Sequence, residues 1–258
     1  MSQGRTIGLI SGKGGVGKTS ICVNLAIALK KLGKEVTIVD SDFSASNLGV
    51  YLGRYDHPVK IQHVLEGDSE PEAAIFRHPT GIKAIASSNE INYVEPDTSR
   101  LKQVVDEAAK ESDYVLIDCP PGLNSTVESI MAACEELMIV TMPTQTAGIN
   151  AAQIIEKAKS MRQPVLGTVV NMVENDPEIE LLDREVGMMT ESHVMATIPY
   201  DMEMKKSLFQ STPLVTHEPM SKASLEIRQL AADMEGVKFE RPKFPKLKRG
   251  IRKLKNSF

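Results

Sequence analysis

Tryptophan is absent from the 258 residues, and aromatic side chains make up only 4% of them. So low an aromatic content favours an aliphatic parallel sheet over an aromatic-rich β-sandwich. The three cysteines, Cys22, Cys119 and Cys134, form no C-x-x-C pair. Their spacing therefore suggests neither a zinc site nor a disulfide scaffold.

Long apolar runs are also missing. No window approaches the 18 uncharged apolar residues that a membrane-spanning helix needs. The N-terminal residues lack the basic segment and apolar run of a secretory signal. We therefore expect a soluble cytoplasmic protein, and 41% hydrophobic residues are enough for a sizeable core.

Short apolar runs alternate with helical stretches along the chain. The predicted strands are Arg5–Ser11, Glu35–Asp42, Gly81–Ser87, Asp113–Pro121, Glu136–Pro143, Val165–Met172 and His193–Tyr200. The predicted helices are Lys18–Gly33, Thr98–Ser112, Ser125–Cys134, Ile149–Met161 and Lys222–Met234. This alternation predicts an α/β fold with a mostly parallel twisted sheet covered by helices on both faces. We expect one domain over residues 1–240 and a tail over residues 241–258.

A glycine-rich loop stands between the first strand and the first helix. The segment GKGGVGKT, Gly12–Thr19, fits the phosphate-binding pattern G-x-x-x-x-G-K-[ST] in the context that the pattern requires. Lys18 is expected to neutralise the β- and γ-phosphates, and the Thr19 hydroxyl to bind magnesium. The pattern predicts a P-loop NTPase fold whose ATP contacts come from Gly12, Lys13, Gly14, Gly15, Val16, Gly17, Lys18, Thr19 and Ser20.

Lys13, directly after the first glycine, departs from the general pattern. With it, the loop resembles the signature K-G-G-x-G-K-[ST] of the MinD/ParA family of deviant Walker A ATPases. The resemblance implies that Lys13 crosses a homodimer interface and contacts phosphates held by the other subunit. Lys13 would then be catalytic in trans, together with Lys18, in the manner of an arginine finger.

Aspartates at strand ends beside a phosphate loop position magnesium and water. VDSDFSASNLG, Val39–Gly49, resembles the family's first switch segment, and YVLIDCPPG, Tyr114–Gly122, its Walker B and second switch segment. The resemblance implies that Asp42 is catalytic and orients the attacking water. It also implies magnesium-site roles for Thr19, Asp40, Asp42 and Asp118.

Three residues match family positions that frame the adenine base. Asn171 ends a predicted strand, where its amide could pair with the purine edge. Pro199 and Asp201 follow the next strand in the segment IPYD. These short motifs are weak by themselves, since a strand-end asparagine without a ligand is about as common.

The tail differs in charge from the rest of the chain. Residues 241–258 hold eight Lys or Arg and no acid, while the whole chain carries −4, which leaves −12 on residues 1–240. Leu247, Ile251, Leu254 and Phe258 fall within about 60° of a helical projection, with the basic residues outside that arc. Such a helix binds an anionic bilayer, and it resembles the membrane-targeting sequence of MinD-type members. A solvated tail, a nucleic-acid arm and a helix packed on its own domain remain alternatives.

The resemblance is strongest to archaeal-type MinD and implies an ATP-hydrolysing switch. With ATP and Mg²⁺ it would dimerise and bind the inner face of the cell membrane. It would position a cell-division or polar structure through an unidentified protein partner. A ParA-like DNA-segregation ATPase is the first alternative, although the −12 charge of residues 1–240 opposes nonspecific DNA binding. A metallochaperone-type ATPase is the second, although it needs paired interface cysteines.

Overall fold

The computed structural model describes residues 4–44, 46–54, 56–88 and 96–242. Its eight strands form one sheet and are β1 (Arg5–Ile10), β2 (Val36–Asp40), β3 (Phe76–Arg77), β4 (Lys83–Ile85), β5 (Tyr114–Asp118), β6 (Glu136–Thr141), β7 (Val165–Val173) and β8 (Val194–Pro199). The spatial order is β3-β4-β2-β5-β1-β6-β7-β8. All neighbouring strands pair in parallel except β3, which is antiparallel to β4. The α/β fold predicted from the sequence is confirmed.

Helices cover both faces of this sheet. They are α1 (Lys18–Lys31), α2 (Leu48–Leu52), α3 (Ile61–Glu66), α4 (Pro71–Ala74), α5 (Leu101–Ala109), α6 (Ser125–Ala133), α7 (Gln145–Ser160), α8 (Asp183–Thr190), α9 (Met202–Phe209), α10 (Leu214–His217) and α11 (Lys222–Met234). Alternate residues of a strand enter different cores, as Leu116 and Ile117 of β5 illustrate. Leu116 belongs to the cluster that contains residues of α1 and α11, and Ile117 belongs to the one that contains residues of α5, α6 and α7. The period-two alternation of side chains produces these two layers.

Several elements differ from the sequence prediction, and α7 and β3 are two examples. The helix predicted to begin at Ile149 begins at Gln145, because the Thr144 hydroxyl accepts a hydrogen bond from the Ala147 amide at 3.3 Å and caps an earlier turn. The two-residue strand β3 was not predicted, because it is too short to show a period. Within the described ranges, no helix is both long and apolar enough to cross a membrane.

The chain turns back on itself after α11. Gly236 has a φ of 63°, and the segment that follows runs antiparallel along the helix. The Phe239 ring centroid lies 4.8 Å from Cζ of Arg228. Further on, Arg241 donates to both carboxylate oxygens of Glu226, at 2.8 and 2.5 Å. The predicted membrane residues Leu247, Ile251, Leu254 and Phe258 lie outside the described residues.

Candidate nucleotide-binding site

The phosphate loop joins β1 to α1 at the carboxyl edge of the sheet. Gly15 and Gly17 have φ values of 81° and 86°, a backbone region that residues with a Cβ avoid. These turns lead into α1, whose N-terminal amides favour an anion. The adjoining cleft has a volume of about 420 Å³. Its walls include the loop residues 14–20 and, across the cleft, Asp42, Asn47, Tyr51, Asn171, Pro199 and Asp201.

Lys18 is the loop's buried cation. Its ammonium lies 2.8 Å from Oδ1 of Asp118, and only 7% and 1% of the two side chains are exposed. Burial opposes the lysine charge, but the attraction of Asp118 outweighs it and raises the pKa of Lys18. The predicted phosphate-binding lysine and magnesium-site aspartate are therefore direct partners in this structure.

Asp40 and Asp118 are register partners at the ends of the neighbouring strands β2 and β5. Asp40 is completely buried, and its carboxylate accepts from the Ser46 hydroxyl at 2.6 Å and the Asp42 amide at 3.1 Å. Burial, followed by the negative charge of Asp118, raises the pKa of Asp40. Asp40 therefore fixes the loop on which Asp42 faces the cleft.

The oxygen donors at this end of the cleft suit a magnesium ion that arrives with a nucleotide. Mg²⁺ is usually held by one or two carboxylates, waters and substrate phosphates rather than by a complete protein cage. Thr19 lines the cleft, and Asp118 lies behind Lys18. Among the described residues, no three His, Cys, Asp or Glu side chains gather into a metal-binding group. The donor set fits a nucleotide-dependent ion.

The side chain of Asn171 contacts the phosphate loop. Its Nδ2 donates to the carbonyl of Val16 at 2.8 Å, and the side chain is 5% exposed. Gly17 makes room for it, because a Cβ there would lie 2.3 Å from that nitrogen. Met172, the next residue, has a φ of 61°, an uncommon conformation for a residue with a side chain. Asn171 lines the cleft as predicted, and its pairing with adenine stays a prediction.

Pro199 and Asp201 also line the cleft. One carboxylate oxygen of Asp201 accepts from the Glu203 amide at 3.0 Å and caps α9. The other accepts from the Ala223 amide at 3.3 Å, at the start of α11. Asp201 thus fixes two helix ends beside the cleft, and a contact with the base stays a prediction.

Lys13 differs from Lys18 in its exposure, in its position relative to the cleft and in its contacts. It is exposed and does not line the cleft. In the described ranges its ammonium makes no hydrogen bond or ion pair, whereas its carbonyl accepts from the Ser11 hydroxyl at 3.1 Å. Gly12, beside it, packs against α7, because a Cβ there would lie 2.6 Å from the Asn150 carbonyl oxygen. Lys13 is available to a molecule outside its own chain.

The sequence motifs did not predict several of the residues that line the cleft. Tyr51 on α2 and Tyr200, Met204, Lys205 and Leu208 around α9 line the cleft. The Lys205 ammonium lies 5.3 Å from the Tyr200 ring centroid. Tyr200 lies in the IPYD segment at the end of β8, although no role was predicted for it. No local pattern marks the other four, because the packing of α2 and α9 brings them to the site.

The glycine-rich loop, the helix N-terminus and the buried Lys18 paired with the strand-end Asp118 define a P-loop nucleotide-binding protein. A model of the ParA family, described as NUBPL iron-transfer P-loop NTPase, matches residues 3–235. An uncharacterised ATP-binding protein of Methanocaldococcus jannaschii is 33% identical over 232 residues, which cover 90% of this chain and 88% of the relative. The septum site-determining protein MinD of Synechocystis is 29% identical, with 90% of each chain covered.

Solved structures agree with these sequence matches. MinD of Pyrococcus horikoshii complexed with Mg-ADP superposes with a TM-score of 0.85 at 27% identity, covering 90% of this chain and 96% of that one. The chain belongs to the ParA/MinD family of P-loop NTPases.

Proposed function

We propose that this chain is an ATP-hydrolysing switch that dimerises with ATP and then binds an anionic membrane surface. The contrast between its two loop lysines carries the proposal. Lys18 is buried at the cleft, and Lys13 is exposed and lies outside it. This contrast supports a role for Lys18 in binding the chain's own nucleotide and a role for Lys13 in reaching a partner subunit.

Within one subunit, the residues of the cleft account for binding and for water positioning. The Lys18 ammonium leaves the Asp118 carboxylate and binds phosphate oxygens of the nucleotide. The loop amides and the N-terminus of α1 stabilise the remaining negative charge of the phosphates. Asp42 orients the attacking water. Thr19, Asp40, Asp42 and Asp118 would hold a nucleotide-bound Mg²⁺, directly or through water, and the ion would supply positive charge to the phosphates.

Across the dimer, Lys13 adds positive charge to the phosphates of the other subunit. A cation supplied in trans stabilises the transition state and makes hydrolysis depend on dimerisation. Several relatives are septum site-determining proteins, which is consistent with such a switch in cell division. We infer that the cellular role is to position a division or polar structure through a protein partner.

The course of the chain after α11 supports a link between the cleft and the tail. Arg241 borders a second cavity of about 320 Å³, which also contains Pro199 and Lys222. Pro199 also lines the nucleotide cleft. Arg241, the first residue of the tail segment, therefore borders a cavity that shares Pro199 with the nucleotide cleft. A single amphipathic tail binds membranes weakly, and two tails tethered in a dimer gain avidity.

The test is co-sedimentation of the full chain with ATP and Mg²⁺, using anionic liposomes in one arm and duplex DNA in the other. ATP-dependent sedimentation with liposomes alone supports the proposal. Sedimentation with DNA alone supports a DNA-segregation ATPase instead. A pull-down with an ATP-trapped dimer would then identify the protein partner.

An iron-transfer role is the alternative that the description of the family model raises. All three cysteines of this chain are free and buried. Burial raises the pKa of Cys119 to about 12, so its thiol resists conversion to the thiolate that ligates metal. Iron and sulfide analysis of anaerobically purified protein tests this alternative.

A further inference from the structure

Tyr51 connects the phosphate-binding helix to a second wall of the cleft. Its hydroxyl lies 2.7 Å from Oγ of Ser20, a residue 31 positions earlier in the chain. Ser20 is in the first turn of α1, two residues after Lys18, and Tyr51 is on α2. Both side chains line the nucleotide cleft. One hydrogen bond thus joins two elements that face the same ligand space.

The helix that carries Tyr51 is firmly attached at both ends. Its N-cap is Asn47, whose carbonyl accepts from the Tyr51 amide at 3.1 Å. Leu48 and Leu52 are buried in the core, and Nε2 of His78 lies 2.9 Å from the Leu52 carbonyl oxygen. Ser46, two residues before α2, donates to the Asp40 carboxylate, which also accepts from the Asp42 amide. A shift of α2 would reach Asp42 through these hydrogen bonds.

The hydrogen bond between the Tyr51 and Ser20 hydroxyls affects which of the two can donate to an anion in the cleft. Each hydroxyl has one hydrogen to donate and two lone pairs that accept. Burial raises the pKa of Tyr51, so its phenol stays protonated near neutral pH. When Tyr51 donates to Ser20, the Ser20 hydrogen is left to face an anion in the cleft. A phenylalanine in its place could not direct Ser20 in this way.

We propose that Tyr51 is a positioning residue for ATP hydrolysis, which holds the Asp42 segment against the phosphate-binding helix through its hydrogen bond to Ser20. This role rests on the hydrolytic function proposed above. It predicts a loss in turnover rather than in ATP affinity. Lys18, the loop amides and the helix N-terminus bind the phosphates in either case.

The test is Tyr51→Phe, measured by phosphate release for kcat and by calorimetry for the Kd of ATP. We expect kcat to fall about 3- to 10-fold, the range for one lost hydrogen bond, with Kd changed by less than about twofold. The variants Ser20→Ala and Ser20→Ala with Tyr51→Phe complete a cycle. On the Ser20→Ala background, Tyr51→Phe should have little further effect on kcat.

Tyr114→Phe is the matched control. Its hydroxyl also makes one 2.7 Å hydrogen bond, to Glu235, but it lies at the amino end of β5, away from the cleft. It should leave kcat unchanged. Three outcomes would overturn the positioning role and leave the hydrolytic function intact. They are wild-type turnover in Tyr51→Phe, an equal loss of turnover in Tyr51→Phe and Tyr114→Phe, and effects of Ser20→Ala and Tyr51→Phe on kcat that are independent of each other. A wild-type chain that does not hydrolyse ATP would overturn both.

Discussion

The ammonium of Lys18 lies 2.8 Å from the carboxylate of Asp118, and the two side chains neutralise each other at the bottom of the nucleotide cleft. Lys18 is the first residue of α1, directly after the phosphate loop, and Asp118 ends the strand β5, which neighbours β1. An isolated charge buried at either position would be strongly unfavourable. Each charge therefore compensates the other, and phosphates bound in the cleft would compete with Asp118 for Lys18.

Lys18→Ala should abolish ATP hydrolysis and strongly weaken ATP binding, because the phosphates lose their main counter-ion. It should also destabilise the fold, by at most about 3–5 kcal/mol, because Asp118 remains buried without its partner. Calorimetry with ATP and a urea titration measure the two effects.

A double variant separates these effects. Lys18→Ala with Asp118→Asn removes both charges, so it should recover much of the lost stability without recovering ATP binding. Wild-type-like turnover in Lys18→Ala would remove the phosphate-loop assignment altogether.

Asp42→Ala should bind ATP but hydrolyse it slowly, because water positioning is lost while the phosphate loop remains intact. The variant should therefore accumulate as an ATP-bound dimer. Size-exclusion chromatography with ATP and Mg²⁺ measures this state. A variant that remains monomeric under these conditions counts against the proposed role.

Lys13→Ala should leave ATP affinity of the monomer largely intact, because Lys18 and the loop amides remain. Dimerisation and hydrolysis should both fall, since the cation supplied in trans is missing. Liposome binding should fall with them, although the tail is unchanged, because a single tail binds weakly. Elution volumes and liposome sedimentation are measured with ATP.

Ile251→Glu is the complementary variant. A carboxylate on the predicted apolar face should abolish liposome binding and preserve the ATP-dependent dimer. Unchanged liposome binding by Lys13→Ala would refute the coupling between dimer and membrane. Unchanged binding by Ile251→Glu would show that the tail is not the anchor.

The three cysteines should be unreactive in the folded protein. Burial raises the pKa of Cys22, Cys119 and Cys134, so at pH 8 the groups are protonated thiols shielded from solvent. A thiol reagent should modify none of them in the native state and all three in denaturant. Rapid native labelling, or iron in the anaerobically purified protein, would favour the iron-transfer alternative.

Local sequence determined the phosphate loop. Gly12–Thr19 are consecutive, and the conformations of Gly15 and Gly17 depend on short-range sterics that the sequence reveals directly. The meeting of Asp40 and Asp118 was also predictable in outline, because parallel strands bring their carboxyl ends to one edge.

Tertiary packing decided the partners of these residues. The bond from Asn171 to Val16 spans 155 positions, and the bond from Tyr51 to Ser20 spans 31. No local pattern encodes such contacts, because they depend on how β7 and α2 pack around α1. The sequence determined which chemical groups this protein brings to the cleft. The packed sheet and helices decided which of them touch, because hydrogen bonds form only between groups that the whole fold places within about 3 Å of each other.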